Sequence, residues 1–224
     1  MGVVSKLFFP QRCAFCGEVS SSVSGVCEKC EGEIPIIDTP KCKRCGCGED
    51  RCSCTPIINH YDRIIAPFYY DGIVKKMITQ IKRYSSQEST QMAVSFMAEE
   101  CRRSYKINFD AVTAVPTDRL GFVKRGYNPA EYVASMLANE LSLPYKPLLK
   151  KHFTLSSQKS SDRIRRLENI SGAYYVTDNV QDMNILLVDD VKTTGATLNE
   201  CSRMLKLSGA KRVYVAVVCI TGKS

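Results

Sequence analysis

Between residues 57 and 224 the apolar positions fall into short unbroken runs that alternate with stretches repeating every three to four residues. The runs Arg63–Tyr70, Phe109–Pro116, Ile185–Asp190 and Arg212–Ile220 have the length and branching of buried strands, which are hydrophobic on both faces when helices cover both sides. Gly172–Val176 reads as a shorter strand. Gly72–Tyr84 sets Ile73, Val74, Met77, Ile78 and Ile81 on one helical face, with Lys75, Lys76, Lys82 and Arg83 outside it. Further helices are predicted over Thr90–Tyr105, Pro129–Leu141 and Leu198–Ser208, the last with Gly209 as its C-cap. Pro144 and Pro147 break the pattern, and residues 150–168 read as an exposed loop. Strands alternating with helices predict an α/β fold: a mostly parallel sheet with helices on both faces.

The sharpest change of pattern lies at Ile185–Thr197, ILLVDDVKTTGAT. An apolar run stops at two adjacent carboxylates, and small, mostly hydroxylated residues follow. Asp189 and Asp190 are therefore predicted at the carboxyl end of a parallel strand, where open α/β sheets bind ligands. Thr193, Thr194, Gly195, Ala196 and Thr197 open the next helix, whose free N–H groups and partial positive charge suit a phosphate. Small side chains let the anion reach the backbone, and threonine hydroxyls add donors around it. The carboxylates would repel that phosphate, but they accept hydrogen bonds from vicinal hydroxyls. The unit reads as a clamp for a sugar 5-phosphate; an ordinary helix cap needs one Asp, not two followed by Thr-Thr-Gly-Ala-Thr.

This segment resembles the phosphoribosyl diphosphate (PRPP) motif of type I phosphoribosyltransferases: four apolar residues, two acids, two further residues and a small Thr-Gly-rich loop. The resemblance implies the type I phosphoribosyltransferase fold. It assigns Asp189 and Asp190 to the ribose 2- and 3-hydroxyls, Thr193–Thr197 to the 5-phosphate, and Mg²⁺ as the companion of PRPP. Lys192 departs from the pattern, standing where an apolar or aromatic residue is commoner and bringing a cation beside the ribose pocket.

Composition adds a second module. With 44% hydrophobic and 24% charged residues the chain is of soluble globular type, and no run approaches the ~18 apolar residues of a membrane span. The start, MGVVSKLFFPQRC, lacks the features of a signal peptide, so a cytoplasmic location is expected. Nine of the twelve cysteines precede residue 55. In a reducing compartment, paired cysteines two residues apart call for metal, each pair forming a knuckle that aims two thiolates at one ion. Cys13, Cys16, Cys27 and Cys30 are read as one structural zinc site, and Cys42, Cys45, Cys52 and Cys54 as a second, with Cys47 close enough to replace a neighbour and cross-brace pairing open. Gly17 and Gly46 follow knuckles where the turn favours positive φ. Four thiolates per ion leave no open coordination position, so the zinc is structural. Cys101, Cys201 and Cys219 are read as buried small hydrophobes. These observations divide the chain into a cysteine-rich zinc-ribbon domain, residues 1–56, and a phosphoribosyltransferase-like domain, residues 57–224.

Charge separates the two parts. Residues 1–56 are balanced, so the whole excess of eight positive charges lies beyond them. Residues 146–166 hold seven basic side chains and Asp162 as the one acid, a loop suited to face diphosphate or a nucleic-acid backbone. Finally VPTDRLGFVKRGYNPAEYVA, Val115–Ala134, resembles the ComF family of competence proteins in its Arg-Gly-aromatic-Asn stretch at Arg125–Asn128. Thr154, Gln158, Arg166, Asn169 and Gly172 fit that family's downstream pattern, and the paired cysteines fit its front end. The resemblance implies a role in DNA uptake and natural transformation, with single-stranded DNA and other uptake proteins as partners. Arg119, Lys124 and above all Arg125 are placed to meet diphosphate, and the loop around Lys150–Arg166 is placed to close over the ligand. His60 and His152 have no motif that marks a catalytic base. The other reading of the same clamp is a metabolic phosphoribosyltransferase acting on a small base or amine.

Overall fold

The computed structural model describes residues 11–54, 59–117, 119–152 and 172–222. In chain order the elements are α1 (Glu28–Glu31), β1 (Arg63–Ile65), β2 (Phe68–Tyr69), α2 (Gly72–Tyr84), α3 (Gln87–Ser104), β3 (Ala111–Ala114), α4 (Arg119–Arg125), α5 (Pro129–Glu140), β4 (Leu149–Lys151), β5 (Tyr174–Val176), β6 (Asn184–Lys192), α6 (Ala196–Leu207) and β7 (Arg212–Ile220).

The main sheet has the order β1-β7-β6-β3, with β2 also on β7, and all of its pairings are parallel. Successive side chains of the central strands enter opposite layers, as the pleat requires. Leu186, Val188, Ala216 and Val218 pack with α2, α3 and α5, whereas Ile185, Leu187, Val215 and Val217 pack with Leu198, Cys201 and Leu205 of α6. Helices thus cover both faces, which is why these strands read as unbroken apolar runs. Cys101, Cys201 and Cys219 are all buried.

Several boundaries differ from the sequence reading. Arg63–Tyr70 is two strands: β1 and β2 share one register on β7, interrupted at Ala66-Pro67, because proline has no N–H for the ladder. The Pro67 carbonyl instead accepts the Ile37 N–H at 2.8 Å. Helix α3 starts earlier than predicted, at Gln87, because the Ser86 hydroxyl accepts the Ser89 N–H and caps it. The span after β3, over which no helix is predicted, contains α4. The exposed loop predicted from residue 150 begins with β4, which pairs antiparallel with β5; residues 153–171 lie outside the described residues. Helix α6 starts at Ala196, two residues before the apolar period, and Gly209 beyond its end has φ +99°.

The cysteine-rich segment is packed into this core. Phe15 is fully buried and meets Phe68 edge-on at 5.8 Å, and Phe68 in turn meets Phe96 at 4.8 Å. Burial of a phenylalanine contributes roughly 1.5–3 kcal/mol. Cys13, Val26 and Cys30 share the layer of α2 and α3. The backbone adds a seam in which Ile36 bridges Phe68 antiparallel and Tyr69 donates its N–H to the Pro35 carbonyl. Lys41 reaches across to Glu100 at 2.5 Å.

Candidate functional site

The site is built by a mismatch in strand length. β6 pairs with β3 only from Ile185 to Val188 but with β7 from Asn184 to Lys192. Asp189 and Asp190 therefore lie within a strand on the β7 side and beyond the strand end on the β3 side. Sequence reasoning stopped the strand at the acids; the partner strand β7, rich in β-branched residues, carries it two residues further. The Asp190 N–H donates to Asp189 Oδ1 at 2.8 Å, and Asp190 Oδ1 receives Lys82 Nζ at 3.0 Å. Burial, and after it the adjacent Asp190 carboxylate, push the Asp189 carboxyl up to about 8, against the opposing pull of the Asp190 N–H and the Lys82 charge.

Lys82 is a site residue that the sequence reading placed on the outer face of α2. Its signal was present in the spacing: Val74 and Ile78 are buried, and Lys82 continues their i, i+4 stripe into the last turn. A cation at the end of an apolar stripe has to meet an anion or leave the layer.

Beyond Lys192 the chain turns into α6. Thr193 and Thr194 are exposed, and Gly195 takes φ +81°, ψ 2° as N-cap. That left-handed geometry suits glycine, and a side chain here would also press on the Lys192 stem, 3.0 Å from a built Cβ. Lys192 is itself nearly buried. Thr221 holds the turn from behind, its N–H 3.0 Å from the Lys192 carbonyl. Thr194 Oγ1 accepts the Ala196 N–H at 3.3 Å, whereas the Thr197 and Leu198 amides have no intrahelical acceptor by helix geometry. The arrangement joins a carboxylate pair to a cradle of free amides and hydroxyls.

The Arg125–Asn128 stretch is tied to the same edge of the sheet. Arg125 Nη2 donates to Thr117 Oγ1 at 2.9 Å, just past β3, and its buried Nε has no partner among the described residues. Within the described residues no hydrogen bond or ion pair joins Arg125 to Asp189 or Asp190. The Tyr127 hydroxyl donates to the Ile81 carbonyl, one residue before Lys82. Asn128 caps α5 by accepting the Ala130 N–H at 3.1 Å and donates to the Val115 carbonyl at 3.0 Å. Asn128→Ala is therefore expected to cost about 1–2 kcal/mol in denaturant unfolding, through cap and bridge together. Lys124 is exposed; the His60 backbone N–H donates to Asn199 Oδ1 in the first turn of α6 at 2.7 Å, and the His152 ring lies against Tyr175.

The cysteines form two sets. The sulfurs of Cys13, Cys16, Cys27 and Cys30 lie within 4.8 Å of one another, as do those of Cys42, Cys45, Cys52 and Cys54. Contacts of 3.8 Å for Cys16 to Cys27 and 3.6 Å for Cys42 to Cys54 approach the roughly 3.8 Å edge of a zinc-thiolate tetrahedron. The sets are sequential rather than crossed, and Cys47 belongs to neither, being buried in the α6-side core. Burial opposes ionisation of Cys13, yet the amides of Cys16, Cys27 and Phe15 outweigh it and bring the thiol down to about 6. Burial, then its cysteine neighbours, raise Cys30, as expected of thiolates crowded around a place for a cation. Gly17 and Gly46 have φ +78° and +80° in the knuckle turns. The four sulfur donors of each set and their mutual spacing fit zinc.

Comparison with known proteins gives a consistent picture. Residues 80–224 match the family model for the phosphoribosyl transferase domain, and residues 4–55 match the double zinc ribbon domain. The chain is similar to Competence protein F of Haemophilus influenzae, 25% identical over 93% of this chain and 96% of that protein. It is similar to Competence protein ComFC of Streptococcus pneumoniae, 25% identical over 90% and 96%, and to DNA utilization protein YhgH of Salmonella typhimurium, 25% identical over 96% and 99%. Among the described residues no helix is long and apolar enough to cross a membrane.

Proposed function

The chain belongs to the phosphoribosyl transferase family, in the ComF-type arrangement with a double zinc ribbon ahead of that domain, and from this premise we propose that it binds PRPP or a related ribose phosphate and handles single-stranded DNA during uptake. The observation that carries the ligand is the carboxylate pair beside a glycine-started helix. Asp189 and Asp190 accept the ribose 2- and 3-hydroxyls, and the amides and hydroxyls of Thr193–Thr197 receive the 5-phosphate. Arg125 supplies a cation toward the diphosphate. Mg²⁺ bound with the ligand would supply positive charge to offset that of the departing diphosphate, and Asp189 and Asp190 are the carboxylates at the site that could help hold it. Phosphoribosyl transfer at such a site rests on positioning and charge stabilisation. The zinc ions hold the ribbon in shape. The DNA part is supported by the printed names of the relatives, competence and DNA utilization proteins, and by the positive charge of this chain.

Titration calorimetry with PRPP and Mg²⁺ tests the ligand; no heat at millimolar PRPP would refute it. Anisotropy of a labelled single strand at low and high salt tests the DNA part, which absence of binding at low salt would sink. The intact clamp also supports a metabolic transferase. Release of diphosphate from PRPP with a nucleobase or amine would establish that reading.

Lys82→Gln separates the roles around the carboxylates. Lys82 holds the Asp189 carboxyl down, so its removal should raise that carboxyl further and move the pH at which ribose-phosphate affinity is lost upward by about one unit. An unchanged pH profile of the dissociation constant would show that Lys82 takes no part.

A further inference from the structure

At the end of the sheet opposite the clamp, β1 and β7 begin at Arg63 and Arg212, and the ribbon lies across from them. Between them is a groove of about 980 Å³ that holds seven lysines and arginines against three acids. Lys41 and Lys43 come from the ribbon, where they flank Cys42 of the second cysteine set. The opposite wall brings Arg63, Arg103, Lys106 and Arg212 from three separate elements and their ends.

Two of the acids are already engaged. Glu100 takes Lys41 and Arg103 at 2.5 and 2.6 Å, and Asp62 takes Lys206 at 2.8 Å. Lys43, Lys106 and Arg212 are exposed. Arg63 is half-buried: one end of its guanidinium donates to the Ser104 carbonyl at 3.0 Å, while its buried Nε has no partner among the described residues. Assembling like charges from three elements around one concavity is costly unless an anion fills it. The two tyrosines of the lining, Tyr105 and Tyr214, are buried, so the groove offers charge without exposed rings to stack on bases.

We propose that this groove is the track along which a single-stranded nucleic-acid backbone lies, with the zinc ribbon forming one of its walls. The inference rests on the DNA-handling reading and locates it away from the ribose-phosphate clamp. Cations on both walls and no exposed ring make binding independent of sequence and strongly dependent on salt.

The test uses the full chain and a labelled deoxythymidine oligonucleotide at about 50 and about 200 mM salt. The triple variant Lys43→Ala, Lys106→Ala, Arg212→Ala is compared with Lys29→Ala, Lys75→Ala, Lys76→Ala, which removes the same charge from exposed positions outside the groove. The groove variant is expected to bind at least about tenfold more weakly than the control, with its salt slope reduced by about 2, since each single-strand phosphate contact contributes about 0.7. PRPP binding by calorimetry should be equal in both variants, which reports their folding. Binding of the wild type with equal affinities in the two variants would overturn the groove and leave the DNA reading standing. Failure of the wild type to bind would overturn both.

Discussion

Replacing both Asp189 and Asp190 by Asn is expected to weaken PRPP binding by about a hundredfold or more while leaving the chain folded. A hydrogen bond to a charged group contributes about 1.5–3 kcal/mol, and each 1.4 kcal/mol is a tenfold change in affinity. Above about pH 8, where Asp189 is ionised as well as Asp190, losing two charged acceptors therefore removes about two to four orders of magnitude. Asn keeps the shape of Asp, so packing against Cys219 and the β7 register survive. Stability should move the other way. Folding raises the Asp189 carboxyl from 3.8 to about 8, so the native state binds a proton that the unfolded chain has released across that window. The contribution to stability is complete below about 3.8 and is lost as pH rises to about 8. Asp189→Asn escapes that loss, so its melting temperature should exceed that of the wild type, by a margin that widens from pH 4 to pH 8. Calorimetry for affinity and melting curves at several pH values check the two halves; unchanged affinity would remove the carboxylates from the ribose site.

Metal analysis is expected to give about two zinc ions per chain, and Cys30→Ser to leave about one while lowering the melting temperature by about 10 °C or more. Structural zinc contributes apparent free energies of about 10–16 kcal/mol in small zinc domains, comparable with the whole stability of an ordinary domain. Cys13, Cys30 and Phe15 lie in the same layer as Phe68, Met77 and Met97. Losing that ion therefore opens the main core as well as the ribbon. A loss of about 3–5 kcal/mol is enough for the shift in a chain of this size. The ligands of the second set are all half-exposed, so Cys54→Ser should also remove one ion but lower the melting temperature less. A wild-type zinc count near zero, or two ions remaining in Cys30→Ser, would refute the assignment.

Much of this architecture was legible in the pattern of residues. Parallel strands buried on both faces have no polar alternation, so β6 and β7 were visible as apolar runs. The glycine-started entry to α6 was legible as a candidate anion cradle because a helix that is to receive an anion needs small residues where it starts, and Thr-Thr-Gly-Ala-Thr meets that need. The cysteine sets were visible because two thiolates on one knuckle require short spacing, although the same spacing left open which pairs combine and whether Cys47 joins them. The break in Arg63–Tyr70 had its mark in Pro67, but the apolar run on both sides concealed it.

Other features depend on partners distant in the chain. Lys82 belongs to the site because α2 is laid against the sheet so that its last turn ends over Asp190. The aspartates are open on one side because β3 is shorter than β6, a difference in pairing that neither strand records by itself. The basic groove joins Lys43 to Lys106 and Arg212 only when the ribbon docks through Phe15 and Phe68. Local chemistry, the carboxylate pair, the small loop and the thiol knuckles, is written in consecutive residues because backbone geometry over a few bonds dictates it. The placing of charges from separate segments is set by packing, because a cation's role depends on which anion, or which empty space, the folded chain brings within a few ångströms of it.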